Sequence, residues 1–113
     1  MEISAVFKAM GEDIRLRMMG LLLKSELCVC DIEEVLGISQ ANASRHLLKL
    51  KSAGILSSRK NAQWVYYSID KKLREAHPEL VTALESEVKK LANYKNDTKA
   101  LAAIQKKKQG AAC

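Results

Sequence analysis

Cys28 and Cys30, inside the string ELCVCD at residues 26–31, are the side chains whose type and spacing offer the most chemistry. Soft metal ions and metalloids prefer thiolate ligands, and two cysteines one residue apart form a ready pair of donors. The same closeness argues against a structural bridge between them, because so short a loop strains disulfide geometry. The chain holds three cysteines, an odd number, the third being Cys113. That inventory fits ligating or redox-active thiols in a reducing compartment better than a disulfide framework. The plainer account is two small buried apolar side chains, the usual behaviour of unreacted cysteine. A redox regulator that closes and reopens a Cys28–Cys30 bridge is a further reading, and a small thiol oxidoreductase another. The oxidoreductase lacks support, since the spacing is CVC rather than CxxC and no strand–helix–strand pattern surrounds it. No Gly-rich phosphate loop and no paired catalytic carboxylates stand out either. The expectation is therefore a protein that is not an enzyme and has no organic cofactor.

The thiols open a short predicted helix, with Ile32, Val35 and Leu36 as its buried stripe and Gly37 as its C-cap. Ile38 then leads to Ser39, a good N-cap for the next helix. A helix, a short turn containing glycine and a second helix make a helix-turn-helix pattern. At about 100° per residue, the second helix turns Ala43, Leu47 and Leu50 to the core. Ala41, Ser44, Arg45, Leu48 and Ser52 fall on the opposite side, with Gln40, Asn42 and Lys49 flanking them. Gln and Asn can pair with adenine, Arg with guanine, and small apolar groups with a thymine methyl. Gln40, Ala41, Asn42, Ser44, Arg45 and Lys49 are thus candidate DNA contacts, and the competing account is an ordinary solvated polar face. Leu48 does not suit a polar face and is expected to lean on the segment that follows. Residues 55–60 and 63–69 read as two strands joined by a tight turn at Asn61 and Ala62, with Val65, Tyr67 and Ile69 facing inward. Trp64 and Tyr66 take the other face as packing residues. Arg59, Lys60, Asn61 and Gln63 lie at the hairpin tip, within reach of phosphates or a minor groove.

The remaining stretches read as support. Ile3, Val6, Phe7 and Met10 recur at helical spacing and stop at Gly11. Residues 13–24 are apolar around much of a helix circumference, which predicts a central, buried helix. Arg15 and Arg17 within it read as solvated positions, with phosphate contact as the alternative. Beyond Asp70 a helix beginning near Pro78 carries Leu80, Val81, Leu84, Val88 and Leu91 along one face to about Tyr94. A stripe at the end of a small chain needs a partner surface. The reading is a two-fold dimer through the N-terminal and C-terminal helices, placing two DNA-reading helices on one face. Residues 1–96 form the DNA-binding and dimerisation domain, and residues 97–113 a frayed helix or mobile basic tail. At 113 residues one domain is expected, and oligomerisation would help it bury surface. A net charge of +6 and a pI near 9.3 favour a polyanionic partner. No apolar run approaches the roughly 20 residues of a membrane span and no leader is visible, so a cytoplasmic protein is expected.

The strings ELCVCDIEEVL, SQANASRHLLKLKSAGIL and RKNAQWVYYSI together resemble the ArsR/SmtB family of metal-sensing winged-helix repressors, over about residues 7–69. ELCVCD resembles the thiol site of the arsenical-repressor branch and of its cadmium/lead-sensing relatives. The resemblance implies a mainly α fold with a β-hairpin wing, a dimeric winged helix-turn-helix. It implies a homodimer that binds an inverted repeat of double-stranded DNA and represses a detoxification operon. As(III) or Sb(III), or alternatively Cd(II) or Pb(II), would release it. The arsenical branch often carries a third cysteine three residues after the second, where this chain has Glu33. The cadmium/lead branch adds cysteines from an N-terminal extension, and no cysteine precedes Cys28 here. That leaves Cys113 as the candidate third ligand beside Cys28 and Cys30. The family's other common site uses acidic and His residues on the last helix. Asp70 and His77 lie nearby, but no second histidine follows. His77 therefore reads as a helix-start residue and His46 as a packing or hydrogen-bonding one. Residues two apart on an ideal helix point about 200° apart. One ion held by both thiols is thus predicted to distort the helix start and, through it, the DNA-reading motif.

Overall fold

The computed structural model describes residues 2–108. Helix α1 (Ile3–Met10) turns Val6, Ala9 and Met10 inward and leaves Ile3 and Phe7 exposed, Phe7 by 58%. Helix α2 (Asp13–Leu22) occupies the centre, as its all-round apolar character predicts, with Met18, Met19, Leu21 and Leu22 enclosed. Its two arginines are not the solvated residues the sequence suggested. Arg15 is buried, with Nη1 3.5 Å from His46 Nδ1 and Nη2 3.5 Å from Glu12 Oε2. Arg17 grips Asp97 with two hydrogen bonds, Nε to Oδ2 at 3.0 Å and Nη2 to Oδ1 at 2.9 Å.

The chain then forms β1 (Leu27–Cys28), a two-residue strand with no counterpart in the sequence reading. Helix α3 (Val29–Leu36) follows directly and stops at Gly37, whose φ of 66° is the left-handed conformation that glycine adopts without a Cβ penalty. The Gly37 N–H donates to the Glu33 carbonyl at 2.8 Å, closing the helix end. Ser39 Oγ accepts from the Asn42 N–H at 3.2 Å and so caps α4 (Gln40–Ser52). Helix α4 buries Ala43, Leu47 and Leu50, as its angular pattern predicts, together with His46.

Strands β2 (Leu56–Asn61) and β3 (Trp64–Ile69) pair antiparallel from Leu56↔Ile69 to Asn61↔Trp64. The two turn residues are therefore Ala62 and Gln63, one position later than expected, and Ala62 has a positive φ of 56°. Tyr67 and Ile69 are buried and Val65 partly so, matching the predicted inner face. Strand β1 joins the other edge of β3, giving the sheet order β1-β3-β2.

Asp70 caps α5 (Lys71–Ala76) by accepting from the Lys72 N–H at 2.7 Å. Helix α6 (Pro78–Val88) opens on Pro78 and stops six residues short of the predicted Tyr94. Helix α7 (Tyr94–Lys108) then begins afresh. Residues 97–108, read from sequence as a frayed helix or mobile basic tail, are thus regular helix docked on α2 and α3, with Leu101 buried. Val81 and Val88 of α6 are covered within this chain, and Leu80, Leu84 and Leu91 pack partly on the core. Cys113 lies outside the described residues. Among those residues no helix is long and apolar enough to cross a membrane. The architecture is mainly α, a helix-turn-helix of α3 and α4 with the β2–β3 hairpin as its wing.

Candidate thiol site and nucleic-acid interface

Cys28 ends β1 and caps α3, its backbone still extended at φ −71° and ψ 142°, while Cys30 is the second residue of the helix. The ideal-helix angle therefore does not apply to the pair. Their sulfurs lie 3.2 Å apart, with the Cys30 S–H directed at Cys28 Sγ. This overturns the expectation that α3 must distort before both can bind one ion. The separation exceeds the roughly 2.05 Å of a disulfide bond. With bonds of about 2.3 Å, both sulfurs can hold one ion at an angle of about 90°.

The neighbours of this pair come from α3 and from the far end of the chain. Asp31 Oδ1 is 3.9 Å from Cys30 Sγ, and Lys108 Nζ is 3.7 Å from the same sulfur. Lys108 also donates to Asp31, and that hydrogen bond above all holds the Lys108 pKa above its ordinary value. A positive charge thus sits at the edge of the thiol site. Among the described residues, no group of three or more His, Cys, Asp or Glu side chains could hold a metal ion. His77 lies partly exposed between α5 and α6. His46 is buried, its Nδ1 3.6 Å from Glu12 Oε2. Burial first, then the charges of Arg45 and Arg15, push its pKa down. A packing and hydrogen-bonding His46 is what the sequence reading expected.

On α4, Gln40, Ala41, Arg45 and Lys49 are exposed and Asn42 and Ser44 partly so. Arg45 donates to Asn42 Oδ1, which orients both side chains on the outer face. On the wing, Lys60, Asn61 and Gln63 are exposed. Arg59 is tied back instead: Nε and Nη2 donate to Glu26 at 2.8 and 2.7 Å, and the guanidinium lies 4.6 Å from the Tyr66 ring centre. The hydrogen bond from Arg59 lowers the Glu26 pKa.

The sequence reading did not foresee a cleft of about 370 Å³ between the start of α3, the outer face of α4 and the wing strand β3. Cys28 and Cys30 line it, and Val29, Trp64, Val65 and Tyr67 add an apolar wall. Leu48, half exposed, faces the same cleft beside Trp64 and Val65, which accounts for an apolar residue on an otherwise polar helix face. That mismatch was the signal in the sequence. Lys108 and Asp31 carried no comparable sign, because 77 residues separate them.

Residues 12–58 match the family described as "Bacterial regulatory protein, arsR family". The chain is 45% identical over 76 residues to the arsenic resistance transcriptional regulator ArsR1 of Pseudomonas putida KT2440, covering 66% of this chain and 54% of that protein. It is also 45% identical over 71 residues to a cadmium resistance regulatory protein CadC homolog of Staphylococcus aureus, covering 62% and 59%. The matched region thus spans little more than half of those two relatives. With ArsR2 of the same Pseudomonas strain the identity is 38% over 90 residues, covering 78% of each chain. Among solved structures, the homodimeric winged helix-turn-helix domain Mb0332 of Mycobacterium bovis superposes with a TM-score of 0.64 at 29% identity, covering 75% of this chain and 79% of that one.

Proposed function

Because the chain belongs to the ArsR family of bacterial regulators, we propose that it is a transcriptional repressor released from DNA by As(III) or Sb(III) bound to Cys28 and Cys30. That family consists of DNA-binding transcriptional regulators, not enzymes. The observation that carries the choice of inducer is the 3.2 Å between the two sulfurs. A tetrahedral divalent ion with bonds of about 2.3 Å would hold two thiolates about 3.8 Å apart. A trivalent pyramidal centre carries a lone pair and prefers angles near a right angle, which the present spacing suits without rearrangement. Cys113 is the proposed third thiolate for the inorganic ion. The second reading is a Cd(II)- or Pb(II)-responsive repressor, favoured by the equal identity to the staphylococcal cadmium regulator.

In this reading the repressor works in the cytoplasm as a homodimer on an inverted repeat of double-stranded DNA. The exposed Ile3 and Phe7 of α1 supply apolar surface for the dimer contact. Gln40, Ala41, Asn42, Ser44, Arg45 and Lys49 enter the major groove, and Lys60, Asn61, Gln63 and Arg59 of the wing approach the backbone or minor groove. Release follows from where the thiols sit. Cys28 belongs to β1, paired with Tyr66 of the wing strand, and Cys30 belongs to α3. An ion on both sulfurs fixes that junction and resets the wing against α4.

The test is fluorescence anisotropy of an inverted-repeat operator selected from a random-sequence pool. Arsenite, antimonite, cadmium and lead are titrated into the wild type, Cys28→Ser and Cys113→Ser. Release by arsenite that vanishes in Cys28→Ser supports the reading. Release by cadmium or lead alone moves the protein to the divalent reading, and no release by any ion sinks both.

A further inference from the structure

We propose that the cleft beside the two sulfurs receives the organic substituent of a monosubstituted trivalent arsenical, RAs(OH)2, and that the site takes such compounds in preference to inorganic arsenite. The proposal rests on the thiol reading above and names its substrate class.

A monosubstituted arsenical has two exchangeable As–O bonds and one As–C bond that does not exchange. On binding, both As–O bonds break and two As–S bonds form, to Cys28 and Cys30. The two thiol protons leave with the two hydroxyl groups as water, and arsenic remains trivalent. Carbon fills the third position, so two cysteines complete the coordination. Two sulfurs 3.2 Å apart supply that pair of bonds at about a right angle.

The substituent then needs an apolar berth directly beside the sulfurs. Val29 stands between the two cysteines in sequence, and Trp64, Val65 and Tyr67 continue the wall along β3. The cleft, at about 370 Å³, falls within the range of small-molecule pockets, and its aromatic side chains suit an aryl group. Its remaining wall is polar and includes Gln40 and Ser44 of α4 and Gln63 of the turn. These three also stand among the residues proposed to contact DNA. An occupied cleft therefore meets the DNA-reading surface on a shared wall, and a bulky substituent opposes DNA binding directly.

Trp64 is the sole tryptophan of the chain and lines the cleft, so its emission reports occupancy. The experiment titrates phenylarsenous acid, methylarsenous acid and inorganic arsenite into the full chain, reduced with a phosphine because dithiol reductants sequester arsenic. Wild type, Cys28→Ser, Cys113→Ser, Val65→Phe and Leu48→Phe are compared. The expected result is an apparent Kd for the phenyl compound about tenfold or more below that for arsenite, retained in Cys113→Ser and lost in Cys28→Ser. Val65→Phe, which fills the cleft, should weaken the phenyl compound about tenfold and leave arsenite unchanged. Leu48→Phe narrows the same cleft from a half-exposed position that cannot disturb the core, and should act in the same direction if Val65→Phe fails to fold. Phenyl binding no tighter than arsenite, or cleft variants that weaken both alike, would overturn the proposal while leaving the thiol reading intact. Unchanged binding of all three compounds in Cys28→Ser would remove the thiol reading and this proposal with it.

Discussion

Replacing Asp97 with Asn should release helix α7 from the body of the protein without unfolding the body. A helix of 15 residues is marginal on its own in water, so α7 depends on what it touches. Three contacts hold it: buried Leu101, the Lys108–Asp31 pair and the two-bond grip of Arg17 on Asp97. Burying a leucine stabilises by about 1.5–3 kcal/mol. Breaking one side of an enclosed ion pair costs about 3–5 kcal/mol, because the other charge is left without its partner. The Asp97 side chain is 7% exposed but that of Arg17 is 23% exposed, so water recovers part of the guanidinium's solvation. The loss expected for Asp97→Asn is therefore about 2 kcal/mol, comparable to the whole contribution of Leu101. At about 1.4 kcal/mol per decade, α7 amides should exchange with solvent roughly 30-fold faster. Amides of α2 and α4, which report opening of the core, should keep their protection. Hydrogen exchange with mass spectrometry, resolved to peptides covering residues 94–108, reads this directly. Unchanged exchange over those residues would refute the reasoning, and so would a parallel acceleration in α2 and α4.

The other predictions are local. Gly37→Ala should cost about 1 kcal/mol by urea denaturation; no atom lies within 4 Å of the added Cβ, so the penalty is that of its positive φ alone. Ser39→Ala removes the side-chain acceptor for the Asn42 N–H and should cost about 1 kcal/mol in the same assay. His46 has a folded-state pKa below its ordinary 6.5, with Arg45, Arg15, Glu12 and Lys49 acting on it. In the window just below that value the unfolded chain binds a proton that the folded chain refuses, so stability is complete above about pH 6.5 and falls as pH drops. His46→Gln should flatten this slope when urea midpoints at about pH 7.5 and about pH 5.5 are compared, and an unchanged slope would assign it to other groups.

The parts of the fold that a sequence shows are those whose cause is local. Helix α4 declares its buried face because Ala43, Leu47 and Leu50 recur at helical spacing, and Gly37 and Ser39 mark ends that need a positive φ or a side-chain acceptor. What stays hidden depends on partners distant in the chain. Strand β1 has two residues and no periodicity, and it exists because β3 offers an edge to Leu27 and Cys28. The break between α6 and α7 falls in residues 89–93, KKLAN, which hold no glycine or proline and let the apolar stripe run on through Leu91. Arg15 and Arg17 looked solvated because Asp97 is 80 residues from Arg17 and His46 is 31 from Arg15. The thiol pair was legible as a pair but not in its geometry, since the convergence of the sulfurs rests on Cys28 remaining extended where a helix was expected.

That extended Cys28 changes what a ligand at the thiols would have to do. Two cysteines within one regular helical turn would oppose capture, because the turn must unwind first. Here one sulfur belongs to the sheet and the other to the helix-turn-helix, so a bridging ligand acts on the junction between them and leaves both elements whole. Residues 26–31 also gather the other ties of the molecule. Glu26 holds Arg59 of the wing, Cys28 pairs across to Tyr66, and Asp31 holds Lys108 at the end of α7. A small displacement at this junction is felt at once by the wing, the reading helix and the C-terminal helix. Packed interfaces of this kind shift between discrete arrangements rather than stretch, which is how a sub-ångström change at a ligand site becomes a change in how two DNA-binding elements are aimed.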